Sequence, residues 1–195
     1  MGIKARVVSP NALRDTVNSP VNWNDFTCHY LAEGDSWFSM AALPGGNLLQ
    51  ELKLERSTLI VNCANPGDTL SHMVEWRKNP DFTSLLARRK FAFAWDAVLL
   101  SAGGNDLIDA ALTSPGILRR LDAPSPNATD YIDESGFQTF DAYLRANFQE
   151  LVALRDDAKS PNKGIPIVIH TYDFPTSRPA PARLLGSIGV LGPWL

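Results

Sequence analysis

Apolar residues along this chain are concentrated in short runs, and each run ends at a turn of small or polar residues. Four such runs lie at 26–32, 57–64, 94–101 and 165–172. A near-continuous apolar run of this length is typical of a strand that is covered on both faces in a parallel sheet. We therefore predict a strand at each run.

The segments between these runs carry apolar residues at helical spacing, often behind a residue suited to capping a helix. Strands that alternate with helices form a parallel sheet with right-handed crossovers and helices on both faces, so the pattern predicts an α/β fold. The first predicted helix follows Asn47 and has Leu48, Leu49 and Leu52 facing inward, and the second is capped by Asp68 or Thr69. A break at Asn79 and Pro80 ends the second helix, and a third helix restarts at Asp81. The fourth helix starts at Leu107 and is capped by Asp106, and a long fifth helix begins with Ser135 and Gln138 as a capping box.

Two segments, residues 1–25 and 114–136, do not follow the alternation of strands and helices. Residues 1–25 are polar and interrupted by Pro10 and Pro20, which predicts a surface segment that leads into the fold. Since 195 residues suffice for one domain with a real core, we expect a single domain over 26–195. The stretch 114–136 contains three prolines and predicts a long surface loop.

The composition of the chain mainly excludes certain classes of protein. The net charge of −3 offers no basic face for nucleic acid, and no stretch approaches the ~20 apolar residues that cross a bilayer. The N-terminus has no continuous apolar segment of the kind found in secretory signals, which predicts a cytoplasmic protein. Cys28 and Cys63 are too few for a disulfide scaffold, and both are expected in the core. The three histidines show no metal-ligand spacing.

The turns that follow the predicted strands carry the candidate chemistry. They lie at 34–36, 65–67, 103–106 and 170–173, and in a parallel sheet the carboxyl ends of the strands meet at one edge. Ser36 is placed there as a nucleophile. Its own backbone N–H, the N–H of Gly67 and the side-chain amide of Asn105 would form an oxyanion hole. Taken singly, each turn has another explanation, such as a common turn, a helix cap or a phosphate cradle.

The ordered turns resemble the sequence blocks of the GDSL, or SGNH, hydrolase superfamily. The sequence Gly-Asp-Ser at 34–36 matches the first block, although Trp37 stands where leucine is usual; Gly67 matches the glycine of the second block, and 103–106 matches the Gly-x-Asn-Asp block. The resemblance implies a flavodoxin-like three-layer α/β/α fold with Ser36 as nucleophile and Ser36, Gly67 and Asn105 as oxyanion hole. It also implies esterase, lipase, thioesterase or carbohydrate-deacetylase activity without a metal or other cofactor.

The last block of this family, Asp-x-x-His, has no counterpart in the chain. No histidine has an aspartate three residues before it, since Phe26 precedes His29, Thr69 precedes His72 and Ile167 precedes His170. The tail at 184–195 is apolar, with no predicted closing strand, and would leave apolar surface exposed. We therefore expect a C-terminally truncated hydrolase domain that lacks its last strand, its last helix and its Asp/His pair.

The residues leave open which group would take the proton from Ser36. His170, at the end of the fourth strand, would serve as the base only if it reached the serine, and it is otherwise structural. His72 is a similar alternative, whereas His29 lies within a strand and is expected in the core. Trp37, Phe38 and Met40 fit an apolar substrate pocket as well as they fit a core.

Two hypotheses on function follow. The first is a serine ester hydrolase acting on a small-molecule ester, with Ser36 as nucleophile. The second is a non-catalytic binding domain, or an inactive fragment of such a hydrolase, because the Asp/His pair is missing. A nucleotide site at 103–106 ranks below both, since the chain lacks a P-loop lysine and the spaced glycines of a dinucleotide fingerprint.

Overall fold

The computed structural model of the protein describes residues 2–14, 21–39, 46–88, 90–113, 116–170, 181–184 and 188–193. Met40 and residues 171–173, on which part of the sequence interpretation falls, lie outside these ranges. For 181–184 and 188–193 the description covers the backbone only.

Five parallel strands form the central sheet of the domain, in the spatial order β2-β5-β3-β6-β7. Strands β1 and β4 form a small antiparallel pair, and β8 and β9 form a second one. The strands are β1 Ile3–Lys4, β2 Arg6–Val8, β3 Cys28–Gly34, β4 Lys53–Leu54, β5 Thr58–Asn62, β6 Ala97–Ser101, β7 Ile167–Ile169, β8 Pro181–Leu184 and β9 Ile188–Pro193.

Helices pack on both faces of the central sheet. They are α1 Pro10–Arg14, α2 Ser36–Ser39, α3 Leu48–Glu51, α4 Leu70–Val74, α5 Pro80–Ala87, α6 Gly104–Leu112 and α7 Glu134–Arg155. Successive strand residues point to opposite faces: Leu31 packs in one core with α4, α5 and α7, whereas Ala32 packs in a second core with α2 and α3. The predicted three-layer α/β/α architecture with a parallel sheet is confirmed.

The order of the strands places a topological switch point at the middle of the sheet. Counted along the chain from β3, the neighbours β5-β3-β6-β7 stand in the order 2-1-3-4, which matches the inner order of flavodoxin-like sheets. The chain therefore leaves β3 and β6 in opposite directions, and a crevice opens beyond their carboxyl ends. Gly34 and Ser101 are paired there in register.

The N-terminal segment contributes to the fold more than we predicted. Strand β2 lies parallel to β5 at the edge of the central sheet, and Val8 and Leu13 pack against the larger core. Residues 6–14 therefore belong to the packed domain rather than to a surface lead-in. A three-residue edge strand is too short to show the alternation by which strands are predicted. The antiparallel pair β8 and β9 likewise lies where no strand was predicted.

Two of the predicted helix caps are wrong. The cap of α7 is Asp133, whose carboxylate accepts a 2.8 Å hydrogen bond from the Gly136 N–H, so Ser135 and Gln138 form no capping box at its start. Asp106 does not cap α6, because that helix already begins at Gly104, behind Gly103 with a φ of 95°. The cap at Asn47 is confirmed, since its side chain accepts the Gln50 N–H. The helix that was predicted to restart at Asp81 begins at Pro80 instead, and Asn79 caps it by accepting the Phe82 N–H.

Asn162 joins the loop after α7 to the segment that enters β6. Its side chain is fully buried; the amide nitrogen donates to the carbonyls of Leu86 (2.7 Å) and Phe93 (2.8 Å), and the amide oxygen accepts from the Trp95 N–H (2.8 Å). All of its hydrogen-bonding groups are thereby used to satisfy buried backbone atoms.

We expect the substitution Asn162→Ala to lower the free energy of unfolding by about 3 kcal/mol, because each buried backbone group left without a partner costs about 1–3 kcal/mol. Urea unfolding followed by circular dichroism measures the change. Asn24→Ala is the matched control, since that side chain is exposed and its removal should change stability by less than about 0.5 kcal/mol. Equal losses in the two variants would contradict a structural role for Asn162.

Candidate functional site

The first predicted turn lies where β3 and β6 approach most closely. A Cβ atom on Gly34 would stand 2.7 Å from the Ser101 Cβ and 2.9 Å from the Ser101 carbonyl oxygen, so only glycine permits this approach. Ser36, two residues after Gly34, is the first residue of α2 and is half-buried. Among the described residues, none hydrogen-bonds to the Ser36 hydroxyl. The nucleophile candidate thus stands at the switch point of the sheet.

The second and third predicted turns meet each other beside this position. Gly67 is exposed and has a φ of 82°, a left-handed conformation that favours glycine. The side-chain amide of Asn105 donates a 3.0 Å hydrogen bond to the carbonyl of Asp68, the residue after Gly67. An amide nitrogen carries two hydrogens, and the second hydrogen of Asn105 has no acceptor among the described residues. The turn of Gly67 is also tied to β3 through the bond from the Asn65 N–H to the Gly34 carbonyl (3.0 Å).

Asp106 positions these turns instead of starting its own helix. Its carboxylate is buried, accepts the Leu70 N–H at 3.0 Å with both oxygens, and accepts the Tyr143 hydroxyl at 2.6 Å. Thr69, predicted as one possible cap of α4, makes no side-chain cap bond, so Asp106 caps that helix from outside. Burial, followed by the bond to Asp106, raises the pKa of Tyr143. The carboxylate therefore fixes α4 against α6 and α7.

A hydrogen-bonded chain of three side chains crosses the sheet at the same edge. The Ser101 hydroxyl, which is fully buried, donates to Asp35 Oδ1 at 2.7 Å, and its oxygen lies 2.7 Å from His170 Nε2. Because the hydroxyl hydrogen is used toward Asp35, the oxygen accepts the bond from His170, which places a proton on Nε2. Asp35 Oδ1 also accepts the Trp37 N–H at 3.0 Å. The chain links the ends of β3, β6 and β7 to the start of α2.

Sequence reasoning did not find Ser101. A lone serine at the end of an otherwise apolar strand carries no motif, and its role comes only from register, which sets it opposite Gly34. His170, named as a possible base, lies at the predicted edge, but its Nε2 is directed to Ser101. The remaining turn residues at 171–173 lie outside the described residues.

The other two histidines lie elsewhere. His29 is buried, as predicted; its ring stacks on Trp23 with centroids 3.8 Å apart, and Nε2 lies 2.9 Å from the Trp23 carbonyl. His72 stands on α4 with Nδ1 3.7 Å from Asp68 Oδ1, and its side chain is 45% exposed. Both cysteines are buried and free, which confirms that they pack in the core.

Glu33 is a buried carboxyl group directly below the candidate site. It precedes Gly34 in β3, is fully buried, and accepts the Gly34 N–H at 2.9 Å with Oε1. Burial raises its pKa to about 8, although the Gly34 N–H and the nearby Asn79 amide favour the charged form. Glu33 Oε2 and Asn79 Nδ2 have no hydrogen-bond partner among the residues that the structure describes. The carboxyl group is therefore held neutral below about pH 8.

Neither a metal site nor a membrane span is found among the residues that the structure describes. No group of three or more His, Cys, Asp or Glu side chains is placed to hold a metal ion within those ranges. In the same part of the chain, no helix is both long and apolar enough to cross a bilayer.

No protein-family model matches the sequence, and a search of curated proteins finds no significant match.

Proposed function

We propose that this protein is a serine ester hydrolase in which Ser36 is the nucleophile. The proposal is supported above all by one observation: the turns of Ser36, Gly67 and Asn105 follow three adjacent parallel strands, β3, β5 and β6, and so share one edge of the sheet. Ligands of open α/β sheets bind at such an edge. The resemblance of the same three turns to the blocks of the GDSL superfamily supports the assignment independently of the fold.

In the proposed reaction, Ser36 Oγ attacks the acyl carbonyl of an ester and loses its proton to a base. The negative charge that forms on the carbonyl oxygen is stabilised by the backbone N–H groups of Ser36 and Gly67 and by the Asn105 amide. Collapse of the intermediate expels the alcohol, which takes up a proton, and leaves an acyl-enzyme on Ser36. Water then attacks that acyl group, releasing the acid and restoring the serine hydroxyl.

The bond between His170 and Ser101 bears on the choice of base. With the proton on Nε2 and directed to Ser101, the only nitrogen of a neutral His170 that can accept a proton is Nδ1. In the proposal, Asp35, Ser101 and His170 therefore brace the nucleophile turn: Asp35 holds the Trp37 N–H next to Ser36, and His170 holds Ser101 in place. This arrangement fixes the backbone of the turn that carries Ser36.

The second candidate function is a binding domain without catalysis. It is favoured by the observation that no described histidine hydrogen-bonds to the Ser36 hydroxyl. Without a base that takes its proton, the Ser36 hydroxyl would remain a weak nucleophile. The N–H groups of Gly67 and Asn105 would still bind a carbonyl or carboxylate oxygen.

Labelling with a fluorophosphonate tests the two against each other, since the reagent forms a covalent bond only with an activated serine. We expect a single adduct, located on Ser36 by peptide mass spectrometry. Ser36→Ala should abolish labelling, whereas Ser39→Ala, in the same short helix, should keep it. An unlabelled but folded protein would favour the binding domain, and an adduct on a different serine would reject Ser36 as the nucleophile.

A further inference from the structure

Positive charge is concentrated in one segment of this chain, although the net charge is −3. Residues 77–90 contain five of the 18 lysines and arginines but one of the 21 aspartates and glutamates. Arg77, Lys78, Arg88 and Lys90 are all exposed in the structure. The overall charge therefore conceals a local basic region, and such a region attracts anionic partners.

Large aromatic side chains lie exposed among these cations. Trp76 is 46% exposed and Phe91 is 50% exposed. The Arg88 guanidinium lies over the Trp76 ring, with Cζ 3.5 Å from the ring centroid, and Lys90 Nζ lies 5.7 Å from the centroid of Phe91. We call this surface the basic aromatic face, and it consists of Trp76, Arg77, Lys78, Arg88, Lys90 and Phe91.

Contacts hold the two parts of the basic aromatic face next to each other. Trp76 and Arg88 line a cavity of about 410 Å³ together with Lys159, which extends the positive charge to the loop after α7. The N–H groups of Phe91 and Ala92 both donate to the Arg88 carbonyl at 2.7 Å, so Phe91 lies on a tight turn directly behind Arg88. The charged groups and both rings thus form one continuous surface.

Two acidic side chains stand among these cations and neutralise only part of their charge. Glu75 precedes Trp76, and its carbonyl accepts the Lys78 N–H at 3.0 Å, so residues 75–78 share a turn. Asp157 lines the cavity, and its carboxylate accepts the Lys159 backbone N–H at 2.8 Å. With Lys159 included, five positive charges of the face stand against these two carboxylates.

The basic aromatic face lies at the opposite edge of the sheet from the candidate site. Residues 88–96 lead into β6 and residues 156–166 lead into β7, so this face adjoins the amino ends of parallel strands. Ser36, Gly67 and Asn105 follow the carboxyl ends of such strands. An inference about this face is therefore independent of the proposed hydrolase function.

An anionic membrane surface offers both negative charge and apolar material in one partner. Tryptophan and phenylalanine side chains enter the boundary between lipid headgroups and acyl chains. Lysine and arginine side chains are attracted to anionic headgroups, and each one near the surface strengthens binding about fivefold. The exposed rings and the cations of the basic aromatic face fit these two requirements together.

A single-stranded nucleic acid fits the same charges less well. Bases stack on aromatic rings that present open faces. Here Arg88 already covers one face of the Trp76 ring, and Trp23 stacks on Phe93, the next exposed ring of the loop, with centroids 5.0 Å apart. These contacts use ring faces that a base would need, whereas they leave the exposed apolar edges available to lipid.

We propose that the basic aromatic face binds the surface of a membrane that contains anionic phospholipids. Trp76 and Phe91 enter the boundary of the acyl chains, and the surrounding lysines and arginines contact the lipid phosphate and carboxylate groups. Because Ser36 lies at the other edge of the sheet, the candidate site faces away from the membrane in the bound protein.

Sedimentation of the full chain with lipid vesicles tests the proposal. We expect binding to phosphatidylcholine vesicles that contain about 30% phosphatidylserine, and at least about tenfold weaker binding to vesicles of phosphatidylcholine alone. Ser36→Ala should bind as the parent protein does, which separates this test from that of the hydrolase. Failure to bind the anionic vesicles, or equal binding to both kinds, would overturn the proposal.

Removing charge from the face should weaken binding. Lys78→Gln combined with Lys90→Gln is expected to lower the affinity for the anionic vesicles at least about tenfold. Lys4→Gln combined with Lys53→Gln is the matched control, because these exposed lysines pair on β1 and β4 and their loss changes the net charge equally. Equal losses in the two double variants would show a general effect of net charge and would reject the face.

The apolar contribution has its own pair of variants. Phe91→Ser should lower the affinity for the anionic vesicles about fivefold or more, since it removes the ring that enters the acyl boundary. Phe137→Ser is the control, because that ring is 45% exposed at the start of α7, and it should bind as the parent does. An unchanged affinity of Phe91→Ser would reject insertion of this ring.

A labelled single-stranded oligothymidylate decides between lipid and nucleic acid. Fluorescence anisotropy should show binding at least about tenfold weaker than that of a partner that stacks its bases on open rings. If the oligonucleotide bound tightly and the Lys78 and Lys90 double variant lost that binding, while vesicles remained unbound, the face would be a nucleic-acid surface and the membrane proposal would be wrong.

Discussion

Replacing Ser36 by alanine is expected to lower kcat for hydrolysis of p-nitrophenyl acetate by at least about 1,000-fold, because the variant keeps the proposed oxyanion donors but has no oxygen to form the proposed acyl-enzyme. KM should change little, since the hydroxyl contributes to the reaction and not to uniform binding of the substrate. Initial rates followed by release of p-nitrophenolate measure both constants.

Ser39→Ala is the matched control for this experiment. Ser39 lies in the same helix, and its hydroxyl donates to the Asp35 carbonyl at 2.9 Å, so its loss tests whether any disturbance of α2 is enough to stop turnover. We expect it to keep its rate within about tenfold of the parent, the cost of roughly one net hydrogen bond. Comparable losses in both variants would mean that Ser36 acts through the conformation of the turn, and full turnover in Ser36→Ala would remove it from the reaction.

Four of the five strands of the central sheet, and the turns that follow them, were predicted from the sequence because both are local properties. Each of the four predicted apolar runs overlaps a strand of the central sheet, and the turns of Ser36, Gly67 and Asn105 follow three of them. A parallel topology then places those turns at one edge without any knowledge of side-chain positions. The same logic gives the architecture but no distances between the three residues.

The partners of the polar side chains were not predictable in the same way. Asp106 stands at a helix start in the sequence, so it was assigned to its own helix, yet its carboxylate reaches the N-terminus of α4, 36 residues away along the chain. The capping preference of aspartate is the same at both helix starts. Only the packing of α6 against α4 decides which backbone N–H lies within reach, and that packing is a tertiary property.

The buried network beneath the site shows the same limit. Ser101, Asp35 and His170 come from three strand ends that are separated by more than 60 residues, and no spacing in the sequence connects them. Glu33 was missed for a related reason: within an apolar run, a single glutamate gives no sign of whether it faces solvent or the core. In a strand covered on both faces, both directions are buried.

Ionisation of Glu33 should make the free energy of unfolding depend on pH. Burial raises the pKa of this group from 4.5 to about 8 in the folded protein. The unfolded chain releases the proton near the ordinary value, so between about pH 4.5 and 8 the folded state binds one proton more than the unfolded state. Stability then falls as pH rises through that window, since it follows the difference in bound protons. The contribution is fully present below pH 4.5 and is lost as pH reaches about 8.

Glutamine has the shape of the protonated carboxyl group and cannot ionise. We therefore expect Glu33→Gln to match the parent protein near pH 4.5 and to exceed its free energy of unfolding by about 3–5 kcal/mol near pH 8, because each unit of pKa shift is worth about 1.4 kcal/mol. Urea unfolding at several pH values between these limits measures the divergence of the two curves.

Glu150→Gln provides the control for this comparison, because that side chain is exposed on α7. Its stability should follow the parent across the whole window, which separates the effect of burial from that of losing one negative charge. Parallel curves for the parent and Glu33→Gln would contradict a neutral Glu33, and would mean that the carboxylate is charged in the fold. A divergence confined to the window would establish that the strand leading to Ser36 carries a protonated carboxyl group at neutral pH. That group adjoins the turn of the proposed nucleophile, where the Asp35 carboxylate accepts the Ser101 hydroxyl.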